Sequence, residues 1–128
     1  MTQNLSAITF FVDDYDSAVE YFTTVLNFTL TEDKVTGENS RFVLVTPPHS
    51  ATSLLLAQAK NDTEMALIGS QAADKVFLIL NTDDFWRDFN AMQSKGVAFL
   101  ETPRKEVYGT VAIFSDKFGN KWDLIQTT

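Results

Sequence analysis

The stretch that decides the fold is FSDKFGNKWDLIQ, residues 114–126. Its middle, DKFGN, has the composition of a turn, because a short polar side chain can bond its own backbone there. Gly119 can take a positive φ and Asn120 tolerates the left-handed region. The residues on either side alternate as they do in strands. The stretch therefore predicts a β-hairpin whose last strand points Asp123 to the same face as the apolar Ile125.

The composition bounds the classes of partner. At 128 residues the chain has the length of one domain, and apolar residues make up 45% of it, which argues against disorder. Its formal net charge is −7, whereas nucleic acid and anionic membranes need a basic footprint, so we expect neither as a partner. No signal sequence and no long apolar run is present, which predicts a soluble, cytoplasmic protein.

The chain contains no Cys and a single His, His49. This composition excludes disulfides, thiolate catalysis and zinc–thiolate sites. Any metal site would have to combine carboxylates with one imidazole. His49 lies in a Pro-Pro-His-Ser turn, where a solvated side chain is expected.

The order strand, helix, strand, strand, strand is predicted twice along the chain. The first half consists of a strand at 6–12, a helix from 17 to 27, an extended segment at 28–32, a loop at 33–40 and strands at 41–46 and 52–58. The second half consists of a strand at 75–80, a helix at 85–95, an extended segment at 97–100, a loop from 102 and the closing hairpin. We predict one domain, with module one at about 5–58, a linker at about 59–74 and module two at about 75–127.

The two halves align as a weak internal repeat. Asp-Asp pairs that begin at Asp13 and Asp83 give an offset of 70 residues. The hairpins at 43–58 and 111–126 give an offset of 68 residues. The alternative is that two βα units resemble each other by chance.

Three motifs resemble the vicinal oxygen chelate superfamily, which includes glyoxalase I, bleomycin resistance proteins, fosfomycin resistance enzymes and extradiol dioxygenases. They are DYDSAVEYF at 14–22, KGV at 95–97 and FSDKFGNKWDLI at 114–125. The resemblance covers essentially the whole chain. It implies an α+β fold of two βαβββ modules, in which curved mixed sheets form a cleft, and it implies a homodimer.

Metal-using members of this superfamily place a ligand on the first and the last strand of each module. Together with the repeat offsets, the resemblance carries these four positions to Ala7, Leu55, Phe77 and Asp123. Three of these side chains have no lone pair to donate, and a divalent ion needs three or more protein ligands. We therefore predict no metal and no other cofactor.

Asp123 is the candidate catalytic residue. A carboxylate in an apolar cleft has a raised pKa, and it can act as a base or pair with a cationic ligand. The alternative is that Asp123 bonds the backbone or Arg41 and only ends a strand. Aromatic rings beside it would stack on a planar or cationic ligand, although such rings more often belong to the core. The predicted ligand-binding residues are Ala7, Phe11, Leu55, Phe77, Tyr108, Trp122 and Asp123.

These features predict a metal-free protein, similar to the bleomycin resistance group, that binds and sequesters a small cationic or aromatic molecule. The first alternative is a metal-dependent enzyme of the glyoxalase (lactoylglutathione lyase) or dioxygenase kind, in which the metal polarises vicinal oxygens. The second is a metal-free lyase or isomerase with Asp123 as general base and Tyr108 as general acid.

Overall fold

The computed structural model describes residues 1–128, which divide into two compact units, 1–66 and 67–128. The boundary falls inside the segment 59–74 that we predicted to be a linker. No helix in the chain has the length and apolar character needed to cross a membrane. The assignment of both units to one domain stays a prediction.

The first unit contains a four-stranded mixed sheet. Its elements are β1 (Ala7–Val12), α1 (Tyr15–Thr24), β2 (Thr29–Gly37), β3 (Ser40–Thr46), β4 (Ser53–Gln58) and the short α2 (Asp62–Met65). The strand order is β1-β4-β3-β2, and only the pair β1·β4 is parallel. One face of the sheet packs against α1, where the rings of Phe10 and Phe22 meet edge to face with centroids 5.3 Å apart.

The second unit repeats this plan with a five-stranded sheet. Its elements are β5 (Val76–Asn81), α3 (Phe85–Ser94), β6 (Ala98–Phe99), β7 (Arg104–Glu106), β8 (Gly109–Ser115) and β9 (Lys121–Thr127). The strand order is β5-β9-β8-β6, β7 also pairs with β8, and β5·β9 is parallel. Phe89 of α3 packs on Phe99, and the ring of Phe114 stacks on Trp122 with centroids 5.5 Å apart. The α+β class with two mixed sheets is thus confirmed.

The two long helices begin and end in the same way. Asp14 and Asp84 each accept a hydrogen bond from the backbone N–H three residues later, at 2.9 and 3.2 Å. These carboxylates satisfy donors that the first helical turn leaves free. Beyond the helix ends, Asn27 and Gly96 have φ values of 61° and 87°, which stop the helical path. The second Asp of each pair therefore serves as a helix cap.

The pairing of the strands bears on the internal repeat. Thr9 lies opposite Leu55 in the first sheet, and Ile79 lies opposite Asp123 in the second, so the offsets of 70 and 68 residues hold for the first and last strands. The offset of 68 is wrong for the first strand of each hairpin. The correct offset for that strand is 69, as from Val45 to Phe114. Val45 pairs with Leu54 and Phe114 pairs with Trp122, so the turn between β3 and β4 is one residue longer than the turn between β8 and β9.

Two predicted loops are strands instead. Residues 33–40 were predicted as a loop, but β2 extends to Gly37 as the outermost strand of its sheet. Nearly all of its residues are exposed, so it lacks the alternation of apolar residues that indicates a half-buried strand. The second strand is β7, which begins at Arg104 and consists of three charged residues. Charged side chains on a short outer strand are a known protection against edge-to-edge association.

Candidate ligand-binding site

The sheet of the second unit has two chemically different faces. On β9, Leu124 is fully buried and Gln126 accepts a hydrogen bond from the backbone N–H of Phe85 at 2.7 Å, so both point towards α3. Side chains alternate along a strand, so Asp123 and Ile125 point to the opposite side of the sheet. We call this opposite surface the Asp123 face. It includes Ile79, Val111, Ile113, Lys121, Asp123 and Ile125.

Asp123 lies on this face between Ile79 of β5 and Ile113 of β8. Ile79 is 65% exposed, whereas Asp123 and Ile113 are half-buried. The carboxylate makes no hydrogen bond and no ion pair. Burial raises the pKa of Asp123, the charge of Arg104 lowers it in part, and the charge of Glu101 raises it further. Asp123 is therefore a desolvated acid that lacks a direct partner within the chain.

A cluster of charged side chains beside Asp123 surrounds Arg104. Its guanidinium donates Nε–H and Nη2–H to Glu101 at 2.8 and 3.2 Å, and Nη1–H to Glu106 at 2.9 Å. Glu101, Tyr108 and Glu106 all raise the pKa of Arg104. Glu101 accepts a further hydrogen bond from the backbone N–H of Ile113 at 2.9 Å. The pKa of Glu101 is lowered, mainly by its hydrogen bond to Arg104 and to a smaller extent by the bond from Ile113. Arg104 is thus held by two carboxylates and does not pair with Asp123.

The charges near the Asp123 face do not cancel. Glu101, Glu106 and ionised Asp123 give three negative charges, whereas Arg104 and Lys121, which lies two residues before Asp123 on the same side of β9, give two positive charges. The surplus is negative, and it lies next to an apolar surface where water screens charges less than in bulk solution. This arrangement favours a cation over an anion.

The remaining predicted residues of the second unit lie in different environments. Phe77 falls at the register shift between Val76 and Leu78 and is half-buried. Tyr108 is 52% exposed in the turn before β8. Trp122 is 2% exposed on the face towards α3, and its indole N–H donates to Asp116 at 2.8 Å. This placement contradicts the expectation that Trp122 stacks on a ligand, because its ring is enclosed in the core.

The three predicted residues of the first unit lie on one surface. Ala7 and Phe11 of β1 and Leu55 of β4 point to the face opposite α1, because the buried residues of these strands are on the other side. Those buried residues are Phe10, Val12, Leu54 and Leu56. All three are half-buried. Thr9 lies between Ala7 and Phe11 and pairs with Leu55. We call this surface the Leu55 face.

The metal positions that the resemblance implies do not fit a metal ion. Each pair of positions lies on neighbouring strands, but Asp123 is the only one of the four with a side chain that can coordinate. No three His, Cys, Asp or Glu side chains in the structure are grouped as they would be around an ion.

Sequence reasoning missed the cluster of Glu101, Arg104 and Glu106. The spacing of three residues between Glu101 and Arg104 is a signal for an ion pair only in a helix, and this segment is not helical. Its contact with Ile113 depends on the pairing of β7 and β8, which no local pattern shows.

The half-buried charge of Asp123 leads to a prediction about stability. Asp123→Asn should raise the free energy of unfolding at pH 7 by a few tenths to about 1 kcal/mol, because a carboxylate that lacks a partner is replaced by a neutral amide of the same size. The folded state holds the proton of Asp123 more tightly than the unfolded state does. The gain in stability should therefore be complete at any pH above the raised pKa of folded Asp123. It should shrink as the pH falls from that pKa to the ordinary pKa of an unfolded Asp, below which it should vanish. Urea unfolding of both proteins between pH 3 and pH 8 measures it; a loss of stability at pH 7 would show that Asp123 has a structural partner.

The chain is similar to proteins of known sequence and structure. A protein of Shewanella frigidimarina is 48% identical over 128 residues, which cover 98% of this chain and 95% of that protein. The crystal structure of UcmS2 is 26% identical, covers 98% of both chains and superimposes with a TM-score of 0.82. The structure of TnmS3, an antibiotic binding protein from Streptomyces sp. CB03234, is also 26% identical, with a TM-score of 0.78 over 99% of this chain and 98% of that one.

The chain also matches the model of a protein family. The model of the glyoxalase, bleomycin resistance protein and dioxygenase superfamily matches residues 4–124, nearly the whole chain. This match agrees with the two βαβββ units and with the resemblance of the terminal hairpin. The chain therefore belongs to the glyoxalase, bleomycin resistance protein and dioxygenase superfamily.

Proposed function

We propose that the protein binds a small planar cation on the Asp123 face and releases it unchanged. The observation that carries this proposal is the carboxylate of Asp123, which is half-buried among isoleucines and makes no hydrogen bond or ion pair of its own. Burying a charge is costly unless a partner compensates for it, and such groups concentrate at functional sites. A bound cation would supply the missing partner.

The shape and chemistry of the face support a flat apolar ligand with a positive charge. Ile79 exposes 65% of its surface beside Asp123, and Ile113 flanks the carboxylate on the other side. A planar ring can cover these isoleucines while its charged atom meets the carboxylate. Arg104 would repel that charge only weakly, because Glu101 and Glu106 already neutralise it.

The comparisons support binding as the activity. TnmS3 is described as an antibiotic binding protein, and the match to it covers nearly the whole of both chains. A site that sequesters a ligand needs affinity and no reacting group, which agrees with an Asp123 that lacks a second acid or base bonded to it. Tyr108, the acid in the lyase alternative, makes no hydrogen bond to Asp123. The metal-dependent alternative would need ligands that the four metal positions do not provide.

Dye binding tests the proposal. We expect acridine orange, a planar cation, to bind with a Kd in the micromolar range, and anilinonaphthalene sulfonate, an aromatic anion, to bind at least about tenfold more weakly. Asp123→Asn should weaken acridine orange binding about 10- to 100-fold, because a hydrogen bond to a charged group contributes about 1.5–3 kcal/mol. Binding should also weaken as the pH falls through the raised pKa of Asp123, since protonation removes the charge. Fluorescence titration gives all these constants.

Asp13→Asn is the matched control. It removes the same charge from an exposed position in the first unit, so it separates the local effect of Asp123 from that of the overall charge. Equal affinity of the two variants for acridine orange would refute the role of Asp123. Elemental analysis after incubation with zinc, nickel and iron should find no stoichiometric ion; about one ion per chain would favour the metal-dependent alternative.

A further inference from the structure

Lys121 lies beside Asp123 but does not pair with it. The two residues are two positions apart on β9 and point to the same side of the sheet, which places their Cα atoms about 6.5–7 Å apart. A lysine has a flexible four-carbon stem, so its ammonium could reach the carboxylate. Instead, Lys121 Nζ donates to the backbone carbonyl oxygen of Asp74 at 3.1 Å. The charges that act on the pKa of Asp123 are those of Arg104 and Glu101.

The strand register explains the direction in which this ammonium points. In the parallel pair of β5 and β9, Lys121 lies opposite Val76, and Asp123 lies opposite Ile79. Asp74 comes two residues before Val76 in the chain, so it lies beyond Lys121 on the side away from Asp123. The hydrogen bond to Asp74 therefore directs the ammonium away from the carboxylate.

Asp74 belongs to a segment of consecutive turns before β5, which we call the 67–75 segment. Three backbone hydrogen bonds of 3.0–3.1 Å close these turns. Near the start of the segment, Gly69 lies so close to the carbonyl of Phe118 that a Cβ atom would collide with it. Near its end, Ala73 has a φ of 56°, in the left-handed region that is costly for a residue with a Cβ. Backbone strain of this kind concentrates at functional and switch regions.

We infer that Lys121 is an internal competitor for Asp123 and that the 67–75 segment prevents it from competing. While the segment keeps the carbonyl of Asp74 in place, the carboxylate is free for a cationic ligand. When the segment moves, the ammonium loses its partner and pairs with Asp123, and a ligand then has to displace it. The inference rests on the proposed function, because it concerns the regulation of the same site. It makes Lys121 a positioning residue that acts through Asp123.

Ala73→Pro should release Lys121. Proline fixes φ at about −65° and has no backbone N–H, so it can keep neither the φ of 56° nor the hydrogen bond that Ala73 donates to Ser70. The backbone directly before Asp74 must therefore change. We expect the pKa of Asp123 to fall by about 0.5–1 and acridine orange to bind about threefold to tenfold more weakly, because the ammonium stabilises the carboxylate and competes with the dye. Carboxyl NMR titration and fluorescence titration measure the two effects.

Ala73→Gly is the matched control. Glycine adopts the same left-handed backbone without strain and keeps the N–H group, so neither the pKa of Asp123 nor the affinity for acridine orange should change. Ala73→Val is a milder release, because β-branched residues are strongly disfavoured at positive φ. It should give smaller effects of the same sign as Ala73→Pro, and it replaces that variant if proline prevents folding.

The decisive protein combines Ala73→Pro with Lys121→Met. Once the ammonium is absent, the change at Ala73 should no longer lower the pKa of Asp123 or the affinity for the dye, compared with Lys121→Met alone. Persistence of both losses in the combined variant would overturn the inference, because it would show that the segment acts on the site without Lys121. An unchanged pKa of Asp123 in the folded variants at Ala73 would overturn it as well. Failure of the unmodified protein to bind acridine orange would overturn the proposed function, whereas the pKa of Asp123 would still test the competition by Lys121.

Discussion

Asp116→Ala should lower the free energy of unfolding by about 3–5 kcal/mol, because it removes the common acceptor of a buried network. Asp116 is 4% exposed. Its Oδ1 accepts from the backbone N–H groups of Phe118 and Asn120 at 2.9 and 3.0 Å, and its Oδ2 accepts from the side chains of Asn120 and Trp122 at 3.1 and 2.8 Å. Alanine would leave these donors without a partner in a place that water hardly reaches.

Urea unfolding followed by tryptophan fluorescence measures this loss, which corresponds to a fall in Tm of about 10–20 °C for a chain of this size. Lys117→Ala, an exposed change in the same turn, should cost less than about 0.5 kcal/mol. Asp116→Asn should fall between the two variants, since the amide keeps one acceptor oxygen. If Asp116→Ala cost less than about 1 kcal/mol, the network would not be what holds the turn.

Gly69→Ala should also destabilise the protein strongly, by about 3 kcal/mol or more. A Cβ atom at this position would lie 2.0 Å from the carbonyl oxygen of Phe118, and φ at Gly69 is +77°. The obstruction is backbone rather than a flexible side chain, so either the segment around Gly69 or the turn at Phe118 would have to move. The left-handed backbone adds a further cost of about 1–2 kcal/mol for a residue with a Cβ.

Gly96→Ala separates these two contributions. Gly96 has a similar φ of +87°, but a Cβ there would meet no atom within 4 Å. Gly96→Ala should therefore lower the free energy of unfolding only by the conformational cost of about 1–2 kcal/mol. Urea unfolding of both variants gives the difference. Equal losses in the two variants would mean that the close approach of Gly69 to Phe118 contributes nothing to stability.

Local patterns were sufficient for much of the fold. The paired Asp residues, the turn at Gly119 and the alternation along β9 each depend on short-range rules, and the structure contains the caps and strands that those rules predict. Asn120 is an exception. It was expected to tolerate a left-handed backbone, but only Gly119 in this turn has a positive φ. Asn120 instead contributes its backbone and side-chain N–H groups to Asp116.

The candidate site was less predictable, because its chemistry depends on contacts between strands. Alternation correctly divided β9 into two faces, yet both faces contain large apolar residues, so the pattern did not show that Trp122 faces α3 and Asp123 does not. The hydrogen bonds between the hydroxyl groups of three residues in the first sheet were missed for a similar reason. Thr31, Thr46 and Ser53 are far apart in sequence and meet only through the register of β2, β3 and β4.

The way in which Arg104 is held has a consequence for how such a protein can diverge. Its positive charge is neutralised by Glu101 and Glu106, which lie outside the strands that hold the isoleucines and Asp123. In the proposed site, the two glutamates that neutralise Arg104 would thus be separate from Asp123 and from the residues that contact the apolar body of a ligand. Exchanges at these two glutamates would release a guanidinium towards the site, so one scaffold could pass from cationic to anionic ligands without rebuilding its sheet.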